Sequence, residues 1–154
     1  NKKMVEGLDH ENKIKNDKDL RSYSIKIRLH RQTPKTKIQD KIRDFIIDDK
    51  EFMNSLLRAD LVIVTGSTAA IEAFIAGKNV IIIGNTDGLT KNPLRDKTSK
   101  NTYRVCYNEF QLLNEIKYFE TLKFKSVIKL KDRQKILKEF FTKINKKNMS
   151  NFFN

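Results

Sequence analysis

Residues 58–85, RADLVIVTGSTAAIEAFIAGKNVIIIGN, decide the fold. The run Leu61–Val64 is apolar and rich in β-branched side chains, as in a parallel strand that is buried on both faces. Gly66 ends this run, and residues 69–76 then place apolar side chains at helical spacing until the next glycine. Residues 80–83 form a second apolar run. The stretch therefore predicts a central strand, a helix and a second strand, joined as a right-handed βαβ unit.

The turn between the first strand and the helix has the features of a phosphate site. Backbone N–H groups and the positive end of a helix dipole converge at Gly66, Ser67 and Thr68. Glu72 follows about one helical turn later, where a carboxylate can accept hydrogen bonds from the two hydroxyls of a ribose. The alternative is that Ser67 or Thr68 is only a helix cap and that Glu72 is only a solvated residue. A single carboxylate on an otherwise apolar helix favours the binding site.

Neither a GxGxxG fingerprint nor a GxxxxGK[ST] loop is present in the chain. The turn is therefore not typical of a nicotinamide-binding protein or a P-loop nucleotidase. No metal site is predicted, and no catalytic residue can be assigned.

Composition and charge restrict the class of protein. The chain has 154 residues, enough for one domain with a real core, and a net charge of +13. Much of the excess lies near the end, since residues 117–147 carry 11 Lys or Arg and 3 Asp or Glu. The single cysteine, Cys106, suits a reducing compartment and is expected to be a buried strand residue. The sequence shows no secretory signal and no apolar run of membrane-spanning length, and it begins with Asn1, as a piece of a longer protein would.

Two shorter strands are predicted before the central stretch. Residues 24–29 alternate between polar and apolar side chains, as a strand does. Arg28, His30 and Arg31 lie at or just beyond the end of this strand, where open α/β sheets bind ligands. His30 and Arg28 are candidate phosphate ligands, and the alternative is a basic surface loop. Residues 45–47 predict a second strand, and residues 51–58 an amphipathic helix.

The loop and helices after the central stretch complete the domain. Residues 84–99 are expected to form a long loop. In it, Asn85, Thr86 and Asp87 are candidate contacts to a sugar or base, and the alternative is that they only form turns. A strand is expected at residues 103–107 and a helix capped by Asn108. Residues 131–147 predict a basic amphipathic helix that packs on its own domain or lies on anionic lipid or nucleic acid.

These features resemble the carboxyl-terminal half of a GT-B glycosyltransferase, and more narrowly the transferases of bacterial capsule and surface-polysaccharide synthesis, including sialyltransferases. The matching positions are Leu29-His30, the turn Gly66-Ser67-Thr68, Glu72, and the segment Gly77-Lys78-Asn79-Val80. In such families the His loop and the hydroxyl turn hold the donor's phosphates and the helix glutamate contacts ribose. The chain departs from the pattern because Arg31 follows His30 and Asn79 stands where proline is usual.

The resemblance implies a Rossmann-like three-layer α/β domain with a mainly parallel sheet, half of a GT-B fold. We divide the chain into a linker or frayed helix (1–23), a nucleotide-sugar-binding domain (24–130) and a basic helix with its tail (131–154). The nucleotide-sugar is a substrate, so no cofactor is expected. The resemblance implies phosphate contacts from Gly66, Ser67, Thr68, His30 and Arg28, and a ribose contact from Glu72. Thr65, Asn85 and Asp87 are the candidate contacts to the sugar or base.

The expected function is transfer of a sugar in surface-polysaccharide synthesis, with an amino-terminal GT-B domain and a glycan acceptor as partners. Two alternatives remain: an enzyme similar to nucleotide-sugar 2-epimerases, and a basic nucleic-acid-binding module. Because the charge around Gly66 is nearly neutral, we expect a small anionic ligand there and no nucleic acid. The expected location is the cytoplasm, with the inner face of the cell membrane as a further possibility.

Overall fold

A computed structural model describes residues 23–29, 46–48, 50–95, 97–98 and 100–141. Its elements alternate between strand and helix along most of the chain. The strands are β1 (Lys26–Ile27), β2 (Ile46–Ile47), β3 (Leu61–Val64), β4 (Asn79–Ile83) and β5 (Arg104–Cys106). The α-helices are α1 (Phe52–Arg58), α2 (Ala69–Ile75), α3 (Glu109–Thr121) and α4 (Leu130–Phe140), and one 3-10 turn covers Lys100–Thr102.

The larger sheet has the strand order β3-β4-β5, and both pairings are parallel. Val62 of β3 pairs with Val80 of β4, and Ile82 of β4 pairs with Val105 of β5. The middle strand is therefore β4, and Val80, Ile81 and Ile82 are fully buried. The expectation that β3 is the central strand, buried on both faces, was wrong, because three of its four residues are only half-buried.

Helices cover both faces of this sheet. On one face, Val80 and Ile82 pack with buried residues of α1, α2 and α4. On the other face, Ile81 and Cys106 pack with buried residues of α3. Successive residues of a strand point to opposite faces, so the apolar run of β4 supplies both cores. The chain is thus an α/β domain of three layers with parallel strands, as the sequence predicted.

The first two strands form a separate parallel pair, in which Ile27 lies opposite Ile47. The backbone N–H of Asp48 extends the pairing by donating to the carbonyl of Ile27 over 2.9 Å. The sequence predicted one mainly parallel sheet, whereas the described strands form two.

Asn79 begins β4 and holds the connection after α3. It is 1% exposed, and its Nδ2 donates to the carbonyls of Phe124 and Lys125 over 3.1 and 3.2 Å. Its Oδ1 accepts from the N–H of Val127 over 3.2 Å. These bonds support an unfavourable backbone, since Lys123 and Phe124 have φ angles of 51° and 52°.

Helix α4 packs on the domain. Ile136 is fully buried in the same core as α2, and the Arg133 Nε donates to the carbonyl of Ile75 over 2.6 Å. The guanidinium also lies beside Gly77, which has a φ of 77° and ends α2. This contact agrees with the packing interpretation of the basic helix. No described helix is long and apolar enough to cross a membrane.

Candidate functional site

The turn after β3 adopts a tight, left-handed conformation. Gly66 has a φ of 57°, which a glycine accepts without strain. The Oγ of Ser67 accepts a hydrogen bond from the N–H of Ala69 over 3.2 Å, at the first residue of α2. Thr68 is the N-cap residue but makes no capping bond with its side chain. Ser67 therefore fixes the start of the helix, and the Thr68 hydroxyl stays exposed.

Three successive backbone N–H groups at this turn have no hydrogen-bond partner among the described residues: those of Gly66, Ser67 and Thr68. Successive N–H groups around a left-handed residue form an anion-binding concavity. The turn also lies at the carboxyl end of β3, the edge at which open parallel sheets bind ligands. The geometry can therefore hold a phosphate or a carboxylate.

Lys91 lies against one side of the turn, a contact that was not predicted from the sequence. A Cβ placed on Gly66 would lie 2.9 Å from the Cβ of Lys91 and 3.2 Å from its carbonyl oxygen. The residue itself is exposed. Glycine is therefore required at position 66 for two reasons: its φ angle is left-handed, and the Cβ and carbonyl of Lys91 leave no room for a side chain.

Glu72 lies in the first turn of α2 and is half-buried. Its carboxylate has no hydrogen-bond or ion-pair partner among the residues that the structure describes. An unpaired carboxylate beside a turn of free N–H groups can accept from a ligand's hydroxyl groups.

Asn85 follows β4 at the same edge of the sheet. Its backbone N–H donates to the Thr90 Oγ1 over 3.1 Å, and its Oδ1 accepts from the N–H of Asp87 over 3.3 Å. Its Nδ2 is buried and has no hydrogen-bond partner among the residues that the structure describes. Buried donors are nearly always paired in folded proteins, so an orphan of this kind suggests a missing acceptor. Asp87 and Thr65 are exposed.

A cleft of about 460 Å³ opens beside the 84–95 loop. Its volume is that of a small-molecule site. The Tyr107 ring forms part of its wall and lies directly against Gly84, where a side chain would collide with it. The cleft is lined about equally by polar and apolar surface, and no carboxylate is among its described lining residues, which are Thr90, Asn92, Arg95, Tyr103, Arg104, Val105 and Tyr107.

Arg104 is held rigidly in that cleft. Its Nε lies 2.9 Å from the Glu115 carboxylate of α3, and its guanidinium stacks 4.7 Å from the centre of the Tyr118 ring. An arginine fixed on two sides loses little freedom when it binds an anion. None of the residues predicted from the sequence lines this cleft.

Arg28 is exposed, but its guanidinium makes contacts within the fold. Its guanidinium contacts the Asp48 carboxylate at 3.2 Å, the Lys50 carbonyl and the Ser55 hydroxyl at 3.3 Å. It also lies 5.6 Å from the centre of the Phe52 ring. Hydrogen bonding from Ser55 and Arg28 holds the pKa of Asp48 below its usual range. These contacts join the β1–β2 pair to α1, and no described contact links Arg28 to the Gly66 turn. His30 lies outside the described residues.

Cys106 is confirmed as a buried strand residue, 1% exposed. Burial, together with the nearby Glu115 carboxylate, raises the pKa of its thiol to about 12. A thiol in this state is neutral at physiological pH and is a poor nucleophile.

The structure thus places Gly66, Ser67 and Thr68 in one turn, Glu72 in the first turn of the helix that follows, and Asn85 after the neighbouring strand. Lys91 and the 460 Å³ cleft are additions that the sequence analysis missed. Within the described residues, no group of three or more His, Cys, Asp or Glu could hold a metal ion. Comparisons with protein-family models, curated proteins and solved structures find no match.

Proposed function

We propose that this chain is the nucleotide-sugar-binding half of a GT-B glycosyltransferase that builds bacterial surface polysaccharide. The observation that carries the proposal is the turn after β3, where the N–H groups of Gly66, Ser67 and Thr68 have no partner among the described residues. A turn of this shape suits phosphate. The unpaired Glu72 carboxylate, one turn further along α2, suits a ribose.

In the proposed site, the groups at and around the turn contact different parts of the nucleotide-sugar. The three N–H groups bind the oxygens of the donor's diphosphate, or of the monophosphate in a CMP-linked donor. Lys91, whose Cβ and backbone lie against Gly66, would supply the positive charge that balances the phosphate. The Glu72 carboxylate accepts from the ribose hydroxyls, and the Asn85 Nδ2 donates to the sugar or base. Thr65 and Asp87 are exposed at the same edge and remain candidate contacts.

A glycan acceptor and a catalytic amino-terminal GT-B domain would complete the enzyme. The chain would act in the cytoplasm, where a reducing environment suits its single free thiol. The nucleotide-sugar is the substrate, and no cofactor is proposed.

A thermal-shift screen with UDP-, CMP-, CDP- and GDP-linked sugars tests the proposal. We expect one class of nucleotide to raise the melting temperature selectively, because a ligand that binds only the folded state stabilises it. Inorganic phosphate at the same concentration is the control for a general anion site. Stabilisation by oligonucleotides but by no nucleotide-sugar would contradict the proposal and favour a nucleic-acid-binding module. Conversion of the sugar in the absence of an acceptor would favour the 2-epimerase alternative.

A further inference from the structure

Helix α4 presents two different surfaces to solvent. One is an apolar stripe of Leu130, Leu137 and Phe141, which are 63%, 44% and 53% exposed. Leu130 and Leu137 are two turns apart and so share a face, and Phe141 follows at the end of the helix. Such large exposed side chains in one row are costly in water unless they meet an apolar partner.

A row of basic side chains lies beside this stripe. Lys131, Lys135 and Lys138 recur at helical spacing and are exposed. At 3.6 residues per turn, both rows fall on the side of α4 away from Ile136, which is fully buried. The helix therefore has one face in the domain core and an outward half that is apolar on one side and cationic on the other.

The helix is fixed in this orientation. Arg133 ties it to the end of α2 through the Ile75 carbonyl. Near the other end of the helix, the Glu139 carboxylate forms an ion pair with Lys97, which lies in the long loop between β4 and β5. The two outward rows are therefore presented on a rigid support, and their exposure does not depend on release of the helix.

We propose that the outward half of α4 docks on an anionic lipid surface. A helix that lies in a membrane interface combines a row of leucine and aromatic side chains with flanking lysines, and its binding depends on both. A nucleic acid would need the lysines but would leave the leucines exposed to water. A bilayer that contains anionic lipid can bury the apolar row among its acyl chains and attract the lysines to its headgroups. This proposal does not depend on the nucleotide-sugar site.

Sedimentation of the full chain with vesicles tests the proposal. We expect binding to vesicles that contain phosphatidylglycerol, weak binding to pure phosphatidylcholine vesicles, and a loss of affinity as salt is raised. Equal binding to both vesicle types, or no binding to either, would overturn the proposal.

Two variants separate the two rows. Lys131→Gln/Lys135→Gln is expected to weaken binding to anionic vesicles about 25-fold, since each lysine near such a surface contributes about fivefold. The matched control is Lys50→Gln/Lys123→Gln, which removes the same charge from exposed lysines elsewhere. Equal losses of vesicle affinity in the two double variants would mean that only the net charge matters. The assignment of the lipid-binding surface to α4 would then be wrong.

Leu130→Gln tests the apolar row and should weaken binding about tenfold. Its control is Leu89→Gln, because Leu89 is 90% exposed in the loop after β4. The melting temperatures of both variants show whether they are folded. If Leu130→Gln leaves vesicle binding unchanged and the chain binds duplex oligonucleotides as tightly as anionic vesicles, the surface belongs to nucleic acid instead.

Discussion

Asn79 and Asn85 mark the two ends of β4 and have opposite environments. Asn79, at the amino end, uses its side chain in three hydrogen bonds to the connection after α3. Asn85, just beyond the carboxyl end, has a buried Nδ2 that no described residue pairs with. The same residue type thus stabilises the fold at one edge of the sheet and stays incompletely paired at the other. This difference is what the ligand site proposed at the carboxyl edge would produce.

The largest expected effect is on folding stability at the amino end. Asn79→Ala would leave two carbonyls and the Val127 N–H unpaired in the interior, which we expect to lower the free energy of unfolding by about 3 kcal/mol. Asn85→Ala should change it by no more than about 0.5 kcal/mol. Chemical denaturation of both variants measures the difference. Equal losses would contradict the contrast between the two edges.

Two glycines allow the effects of a substitution on stability and on ligand binding to be separated. Gly66 and Gly77 both have left-handed φ angles, at the carboxyl and amino edges respectively. Replacing either by alanine should cost about 1–2 kcal/mol of stability. A Cβ on Gly66 meets Lys91, including its backbone carbonyl, whereas one on Gly77 meets the flexible guanidinium of Arg133, so the larger cost is expected at Gly66.

The ligand affinities of these variants should differ more clearly. Gly66→Ala is expected to weaken nucleotide-sugar binding about tenfold, as the loss of one charge-assisted hydrogen bond would. Gly77→Ala should bind as the wild type does. Calorimetric titration below the melting temperature of each variant measures this. If Gly77→Ala weakens binding as much as Gly66→Ala, the effect is general destabilisation.

Cys106, the last residue of β5, lies at the carboxyl edge of the sheet but is shielded from solvent. Because burial raises the pKa of its thiol to about 12, the thiol stays neutral in the folded state while the unfolded chain ionises above about pH 8.5. The stability that comes from keeping the thiol neutral is complete below that pH and is lost as the pH rises. By pH 9.5 the loss should be about 1.4 kcal/mol.

Unfolding of the wild type and Cys106→Ala at pH 7.5 and 9.5 isolates this contribution. The difference between the two proteins should change by that amount between the two pH values. A difference that is independent of pH would mean that the thiol is accessible to solvent. Native Cys106 should also react slowly with thiol reagents at pH 8.

The βαβ unit was predicted closely because the features that specify it lie close together in the sequence. A four-residue apolar run, a glycine and an apolar helix gave the observed bounds of β3 and placed α2 and β4 within a residue or two. Asn108 was also correctly predicted as a cap, since its side chain accepts from the N–H of Gln111. These features depend on neighbours in sequence.

The features that the sequence could not give depend on distant segments. Lys91 reaches Gly66 from a loop with no regular pattern, and the bonds of Asn79 reach 45 or more residues along the chain. Arg28 looked like a phosphate ligand because it follows a strand, but its partners are Asp48 and Ser55. The central position of β4 also depends on the pairing of β5, which a pattern of apolar residues does not specify.

Glu72 gives the most direct test of the nucleotide site. A turn that binds phosphate alone gains nothing from a nearby carboxylate, whereas a ribose can donate two hydroxyl groups to it. Each such bond contributes about 1.5–3 kcal/mol when buried. The measurement is a paired calorimetric titration of the wild type and Glu72→Gln with a nucleoside diphosphate and with inorganic phosphate. We predict nucleotide binding that is about tenfold weaker and phosphate binding that is no weaker. Unchanged nucleotide binding, or equal weakening for both ligands, would contradict the assignment of this turn as a nucleotide site.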